Sequence, residues 1–146
     1  MPSFTKNITT ISRCANQFRS DHLEGTGLRG GQYSLITNLC RSPGISQEEL
    51  SKLTYMNKSN VARHLAQLEE NGFVTRRPSS SDRRRMLVYP TEKAQAVLPI
   101  ILKLHQEWRD YLTESFTPEE LEIFSSLLER AAIRAKEYVD TRDSKT

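Results

Sequence analysis

ISQEELSKLTYMNKSNVARHLAQLEENGFVTRRPSSSDRRRMLVYPTEK, residues 45–93, carries three helix starts, one helix stop and two short β-like runs. Ser46-Gln47-Glu48-Glu49 fits the S-x-x-E capping box, in which each side chain satisfies a free backbone donor at the other end. Ile45 and Leu50 stand where a hydrophobic staple needs them. The helix so opened is short, because Thr54-Tyr55-Met56-Asn57 reads as a turn after Leu50 and Leu53. Asn57 then serves as N-cap of a second helix, which Gly72 ends at the C′ position. On that helix Val61, Leu65 and Leu68 face one way and Ser59, Asn60, Arg63 and Gln67 the other; His64 falls at the edge of the apolar stripe, as a half-buried structural histidine would. Phe73 to Arg77 and Arg85 to Tyr89 are joined by Pro78-Ser79-Ser80-Ser81-Asp82, which predicts a hairpin with a polar, arginine-rich tip.

Outward from this block the chain reads as helix on both sides. Phe4, Ile8, Ile11, Ala15, Phe18 and His22 recur every three or four residues, the stripe of an amphipathic helix over 4–22. Glycines at 25, 27, 30 and 31 break the chain, and a second helix with Tyr33, Leu35, Ile36, Leu39 and Cys40 runs to Pro43-Gly44. Thr91 caps a long helix to about Thr113, with Pro99 inside it as a kink site. Thr117-Pro118-Glu119-Glu120 is another capping box, stapled by Phe116 and Leu121, and opens a last helix to about residue 140. The expected order is α-α-α-α-β-β-α-α, mainly helical with one small β-hairpin.

Composition bounds the function. A chain of 146 residues with 36% hydrophobic and 27% charged residues has the make-up of an ordinary globule. That length lets it bury roughly 68–70% of its unfolded surface without disulfides or metal. Ala96 to Leu102, the longest apolar run, is interrupted by Pro99 and too short for a membrane span. The opening MPSFTKNITT lacks a signal-peptide pattern, so the expected compartment is the cytoplasm. Cys14 and Cys40 show no paired spacing. His22, His64 and His105 fall on three different helices, and no H-E-x-x-H, P-loop or G-x-S-x-G motif occurs, which argues against an enzyme and against a bound cofactor or metal. Charge is asymmetric: residues 1–90 carry a net +6 and residues 91–146 a net −3, with five arginines between Arg76 and Arg85. Such placement suits a polyanion on one part of the molecule, although a solvated basic loop would look the same by charge alone.

Two short helices with a tight turn, followed by an arginine-tipped hairpin, describe a winged helix-turn-helix. A helix fits the major groove with polar side chains toward base edges, and basic residues on a hairpin neutralise phosphates or enter the minor groove. A structural helical hairpin with a solvated polar face is the blander alternative. The residues from Ile45 to Lys93 resemble the MarR family of bacterial transcription regulators. The closest likeness is Ser81-Asp82-Arg83-Arg84-Arg85 leading through Leu87-Val88 to Thr91-Glu92-Lys93, which is similar to that family's wing motif. Asn71-Gly72-Phe73-Val74, with Arg76-Arg77 after it, is similar to the family's approach to the wing, and the flanking helices agree in number and order. Pro90 departs from the aliphatic residue common before the Thr, which leaves open where the second strand ends.

The resemblance implies a single MarR-type domain over 1–146 and an obligate homodimer. Residues 4–22 and 117–140 would dimerise, 30–90 would form the DNA-binding lobe, and 91–113 would connect them. Candidate contacts to double-stranded DNA are Ser46, Gln47, Lys58, Ser59, Asn60, Arg63 and Gln67 on the helices. On the hairpin they are Arg76, Arg77, Ser81, Asp82, Arg83, Arg84 and Arg85. The expected function is a repressor on a pseudo-palindromic operator, released by a small aromatic or phenolic effector. That effector would lodge between the second helix, the helix around Pro99 and the wing base, with Tyr33, Trp108 and Tyr111 as lining candidates by type. The alternatives are redox sensing through Cys14, which has Arg13 and Lys6 nearby in sequence, and a winged-helix protein-interaction module that no longer reads DNA.

Overall fold

Residues 3–144 are described by a computed structural model; residues 1, 2, 145 and 146 of the expected 1–146 domain lie outside the described residues. The first helix, α1 (Phe4–His22), starts at Ser3, whose Oγ accepts the Lys6 N–H at 3.3 Å. Its expected apolar stripe divides in two. Phe4, Ile8 and Ile11 are exposed, while Ala15 is buried and Phe18 half-buried; His22 at the end is exposed again. The glycines that follow do more than break the chain: Gly30–Gln32 forms a 3-10 turn leading into α2 (Tyr33–Arg41). Gly30 lies directly against α1, its N–H donating to Ser20 Oγ at 3.0 Å and its carbonyl accepting Arg19 Nε at 3.1 Å.

The central block folds as β1 (Ile45–Ser46), α3 (Gln47–Thr54), α4 (Lys58–Glu70), β2 (Val74–Pro78) and β3 (Met86–Pro90). The two-residue β1 had no signature in the sequence. Its Ile45 pairs antiparallel with Val88 and its Ser46 with Leu87, so the hairpin becomes a three-stranded sheet in the order β1-β3-β2. On the other side of β3 the register runs from Val74↔Pro90 to Pro78↔Met86. Pro90 lacks an N–H, and it is the last residue of the strand; the Thr91 N–H continues to the Phe73 carbonyl at 3.0 Å. The end of α4 is a Schellman turn. Gly72, at φ +80°, donates to Glu69 O at 3.1 Å, and the Phe73 N–H reaches Leu68 O at 2.8 Å.

The core of this unit gathers Leu35, Ile36 and Leu39 from α2, Leu50 from α3, Val61, Leu65 and Leu68 from α4, Phe73 from the turn after it, and Val74 and Val88 from the sheet. Burying each such side chain is worth about 1.5–3 kcal/mol, so it holds the two helices of the turn and the wing base as one body. Helix α5 (Glu92–Leu112) adds Ala94, Val97, Ile101 and Leu104 and carries Pro99 in its interior. The Thr91 hydroxyl ties its start to the Gly72 carbonyl at 2.6 Å.

The chain divides into two compact units between Trp108 and Arg109, inside the helix expected to connect them. In the second unit Thr117 and Glu120 form the expected capping box in both directions, at 2.9 and 3.1 Å. Phe116 packs edge-on against Phe124, with ring centroids 5.3 Å apart. Helix α6 (Pro118–Ser144) runs beyond residue 140, and none of its residues is buried. No helix among the described residues is long and apolar enough to cross a membrane.

Candidate nucleic-acid interface

The interface begins with the turn between α3 and α4. Tyr55 takes the left-handed conformation at φ 59°, and the buried Ser51 donates its hydroxyl to Met56 O at 2.7 Å. Asn57 then caps α4, its Oδ1 accepting the Asn60 N–H at 2.7 Å. With Val61, Leu65 and Leu68 facing the core, Lys58, Ser59 and Arg63 stand exposed at the start of α4 and Asn60 half-exposed beside them. Arg63 donates to Asn60 Oδ1 at 3.0 Å, which presents an amide and a guanidinium side by side on the surface. Lys58 lies 3.7 Å from Glu48.

Two residues expected on this face are elsewhere. Gln67 is half-buried, and its Oε1 accepts from Nε2 of the buried Gln32 at 3.1 Å. The orientation of that amide is fixed, because Gln32 Oε1 accepts the Arg29 N–H at 3.0 Å. The same Nε2 lies 3.4 Å from His64 Nδ1. Burial, then the nearby Arg63 and Arg29 charges, hold His64 below the ordinary histidine value and favour its neutral, accepting form. Ser46, only 2% exposed, spends its Oγ on the Glu49 N–H at 3.1 Å and serves as a helix cap.

The hairpin sorts its arginines. Arg84 is 96% exposed at the tip. Asp82 organises that tip, with Oδ1 accepting the Arg84 N–H at 3.0 Å and its carbonyl accepting the Arg85 N–H at 3.0 Å. Arg83 is exposed, as is Ser81, whose hydroxyl lies 3.0 Å from that of the buried Ser79. Arg77 lies over the Tyr89 ring at 4.0 Å. Arg76 and Arg85 behave differently. Arg76 reaches Glu69 at 3.1 Å and Gln47 at 3.2 Å, and Arg85 reaches Glu49 at 2.5 Å. Glu49, read from sequence as half of a capping box, and Glu69 are participants that local patterning missed, since each partner lies on another element. Between α3, the start of α4 and the wing is an open cleft of about 260 Å³, lined by Ser46, Gln47, Glu48, Lys58, Arg84, Arg85 and Met86.

The effector candidates fall in different surroundings. Tyr33 is half-buried, with the Arg19 guanidinium 4.1 Å over its ring and His105 edge-on at 4.6 Å. Arg19 is buried, and its partners here are the Gly30 carbonyl, the Asn16 amide oxygen and this ring, none of them an acid. Burial lowers the pKa of both Arg19 and His105, and His105 Nε2 is buried without a hydrogen-bond partner among the described residues. Trp108 packs against Phe18 with ring centroids 5.2 Å apart and the planes tilted by 36°. Tyr111, in the second unit, is 68% exposed. Cys14 is exposed on α1, and burial pushes the half-buried Cys40 thiol up.

Comparison with known proteins agrees with this geometry. A sequence profile of the MarR family matches residues 29–86. The chain is 28% identical over 130 residues to the HTH-type transcriptional regulator YybA of Bacillus subtilis, spanning 89% of this chain and 87% of that one. It is 30% identical to a protein whose crystal structure is described as MarR, with a TM-score of 0.85 over 97% of this chain and 95% of that one. A MarR family transcriptional regulator from Listeria monocytogenes, solved with 26-mer DNA, shares the fold at 22% identity, with a TM-score of 0.82 over 97% and 96% of the two chains.

Proposed function

The chain belongs to the MarR family, whose members are transcription regulators and not enzymes, and from that premise we propose a homodimeric repressor released by a small aromatic anion. The observation that carries the DNA part is that one compact unit presents both the polar start of α4 and the exposed Arg83 and Arg84 of the wing. The first suits the major groove; the second suits phosphates or the minor groove. That the Listeria protein of the same fold was solved with 26-mer DNA supports DNA as the partner. Candidate contacts are Lys58, Ser59, Asn60 and Arg63 on α4, with Gln47, Arg77, Ser81, Arg83 and Arg84 around them. A two-fold dimer would place two recognition helices on a pseudo-palindrome with half-sites about one helical turn apart. The buried, acid-free Arg19 beside Tyr33 and His105 supports an anionic aromatic effector over a neutral one.

Footprinting on the region upstream of the protein's own gene tests the reading, repeated with salicylate-like compounds, with peroxide, and with the Cys14→Ser variant. Two protected half-sites released by the aromatic anion are expected. Release by peroxide that Cys14→Ser abolishes would replace the ligand reading with redox sensing at the exposed Cys14 thiol. No complex would overturn DNA binding itself, and a salt-insensitive one would overturn phosphate contact by the wing.

A further inference from the structure

The hairpin is an arm with a free tip, and free tips wander unless something ties them down. Backbone pairing to β1 ends at Ser46↔Leu87, so beyond Leu87 the sheet gives the wing no support from the helix-turn-helix. Side chains supply it at two points. Arg76 lies on the same face of the hairpin as Val74 and the buried Val88, toward α4, and its own backbone is part of the tie. Its N–H donates to Glu69 Oε2 at 3.1 Å, its Nη2 to Glu69 Oε1 at 3.1 Å and its Nη1 to Gln47 Oε1 at 3.2 Å. One arginine thus joins β2, the last turn of α4 and the first turn of α3. Across the hairpin Arg85, next to the tip, holds Glu49 of α3 at 2.5 Å.

We propose that Arg76 and Arg85 are positioning residues that hold the wing at a fixed angle to α4, while Arg83 and Arg84 meet the DNA. This rests on the DNA-binding reading above and divides a basic cluster that charge alone treats as uniform. The division has a consequence opposite in sign to simple electrostatics. Removing an acid beside a DNA-binding surface should tighten binding, because one repulsion toward phosphate disappears. If Glu69 works by holding Arg76, its removal should weaken binding instead.

Glu69→Ala, Glu49→Ala, Arg76→Lys and Arg84→Ala, each checked for an unchanged thermal midpoint, should be titrated with an operator duplex across a salt series. Both acid removals should weaken binding by roughly two- to fivefold, the span of a partly exposed ion pair, with the salt slope unchanged. Arg76→Lys, which keeps the charge but cannot span two partners, should behave likewise. The charge-reversed pair Glu69→Arg with Arg76→Glu should regain part of the binding that Arg76→Glu alone loses, since the side-chain pair returns while the backbone N–H of residue 76 stays without its carboxylate. Tighter or wild-type binding by Glu69→Ala and Glu49→Ala would overturn the inference, as would wild-type binding by Arg76→Lys. Those results leave the DNA reading intact provided Arg84→Ala still flattens the slope. Failure of the wild type to bind, or of Arg84→Ala to change anything, would bring down that reading and the inference with it.

Discussion

At the scale of single residues, chemistry alone does not say what an arginine does. Arg84, 96% exposed, pairs with Asp82 of its own loop at 3.7 Å and moves with the tip, whereas Arg76 is tied to Glu69 and Gln47 on two other elements. In the proposed function the Asn60–Arg63 pair on α4 would read bases. Replacing Asn60 with Ala should cost about 1–3 kcal/mol on the preferred operator and little on random duplex, read as a changed sequence preference in competition band shifts. Equal losses on both would assign Asn60 to the backbone. The histidines give a pH prediction. His64 and His105 both have folded pKa values below the ordinary 6.5, each chiefly through burial. The unfolded chain therefore takes up protons first, and stability complete above about 6.5 is lost as pH falls toward the folded values. Melting curves at pH 7.5 and about 5.5 should show a lower Tm in acid. His64→Gln with His105→Gln should shrink that difference; an unchanged difference would place its cause elsewhere.

Single elements were legible where a local signal decides them. Ser46, Asn57, Thr91 and Thr117 each cap the helix that sequence assigned to them, because an N-cap is a contact three residues long. Gly72 ends α4 for the same local reason. What escaped is what depends on distant partners. The strand β1 is too short for any periodicity, and Ile45 looked like a staple when its place is set by Val88. Gln67 looked solvent-facing on a helical wheel, which knows nothing of the 3-10 turn that brings Gln32 against it. Gly30 read as a breaker, yet its role is close approach: a Cβ there would run into the Asn16 carbonyl and Ser20 Oγ. Gly30→Ala should accordingly destabilise the protein by about 1–3 kcal/mol, a loss that denaturant unfolding would detect. Gly31→Ala, where nothing lies within 4 Å, is the control and should change little.

For the whole molecule, the terminal helices state an unmet need. Phe4, Ile8 and Ile11 on α1, and Ile123, Leu127, Leu128, Ile133 and Tyr138 on α6, are exposed apolar side chains at helical spacing. Apolar surface of this kind marks an interaction site, and a second copy of the chain is the simplest partner with matching stripes. Sedimentation at micromolar concentration should find a dimer, and Leu127→Glu with Leu128→Glu should shift it toward monomer; a folded wild-type monomer would refute the assembly. A dimer would double every interaction with DNA, which makes salt dependence the sharpest probe. Operator affinity measured by fluorescence anisotropy across a salt series should fall linearly on logarithmic axes. Arg84→Ala should flatten that slope by about 1.8, because each of the two lobes then neutralises one phosphate fewer. An unchanged slope would contradict the docking of the wing on DNA.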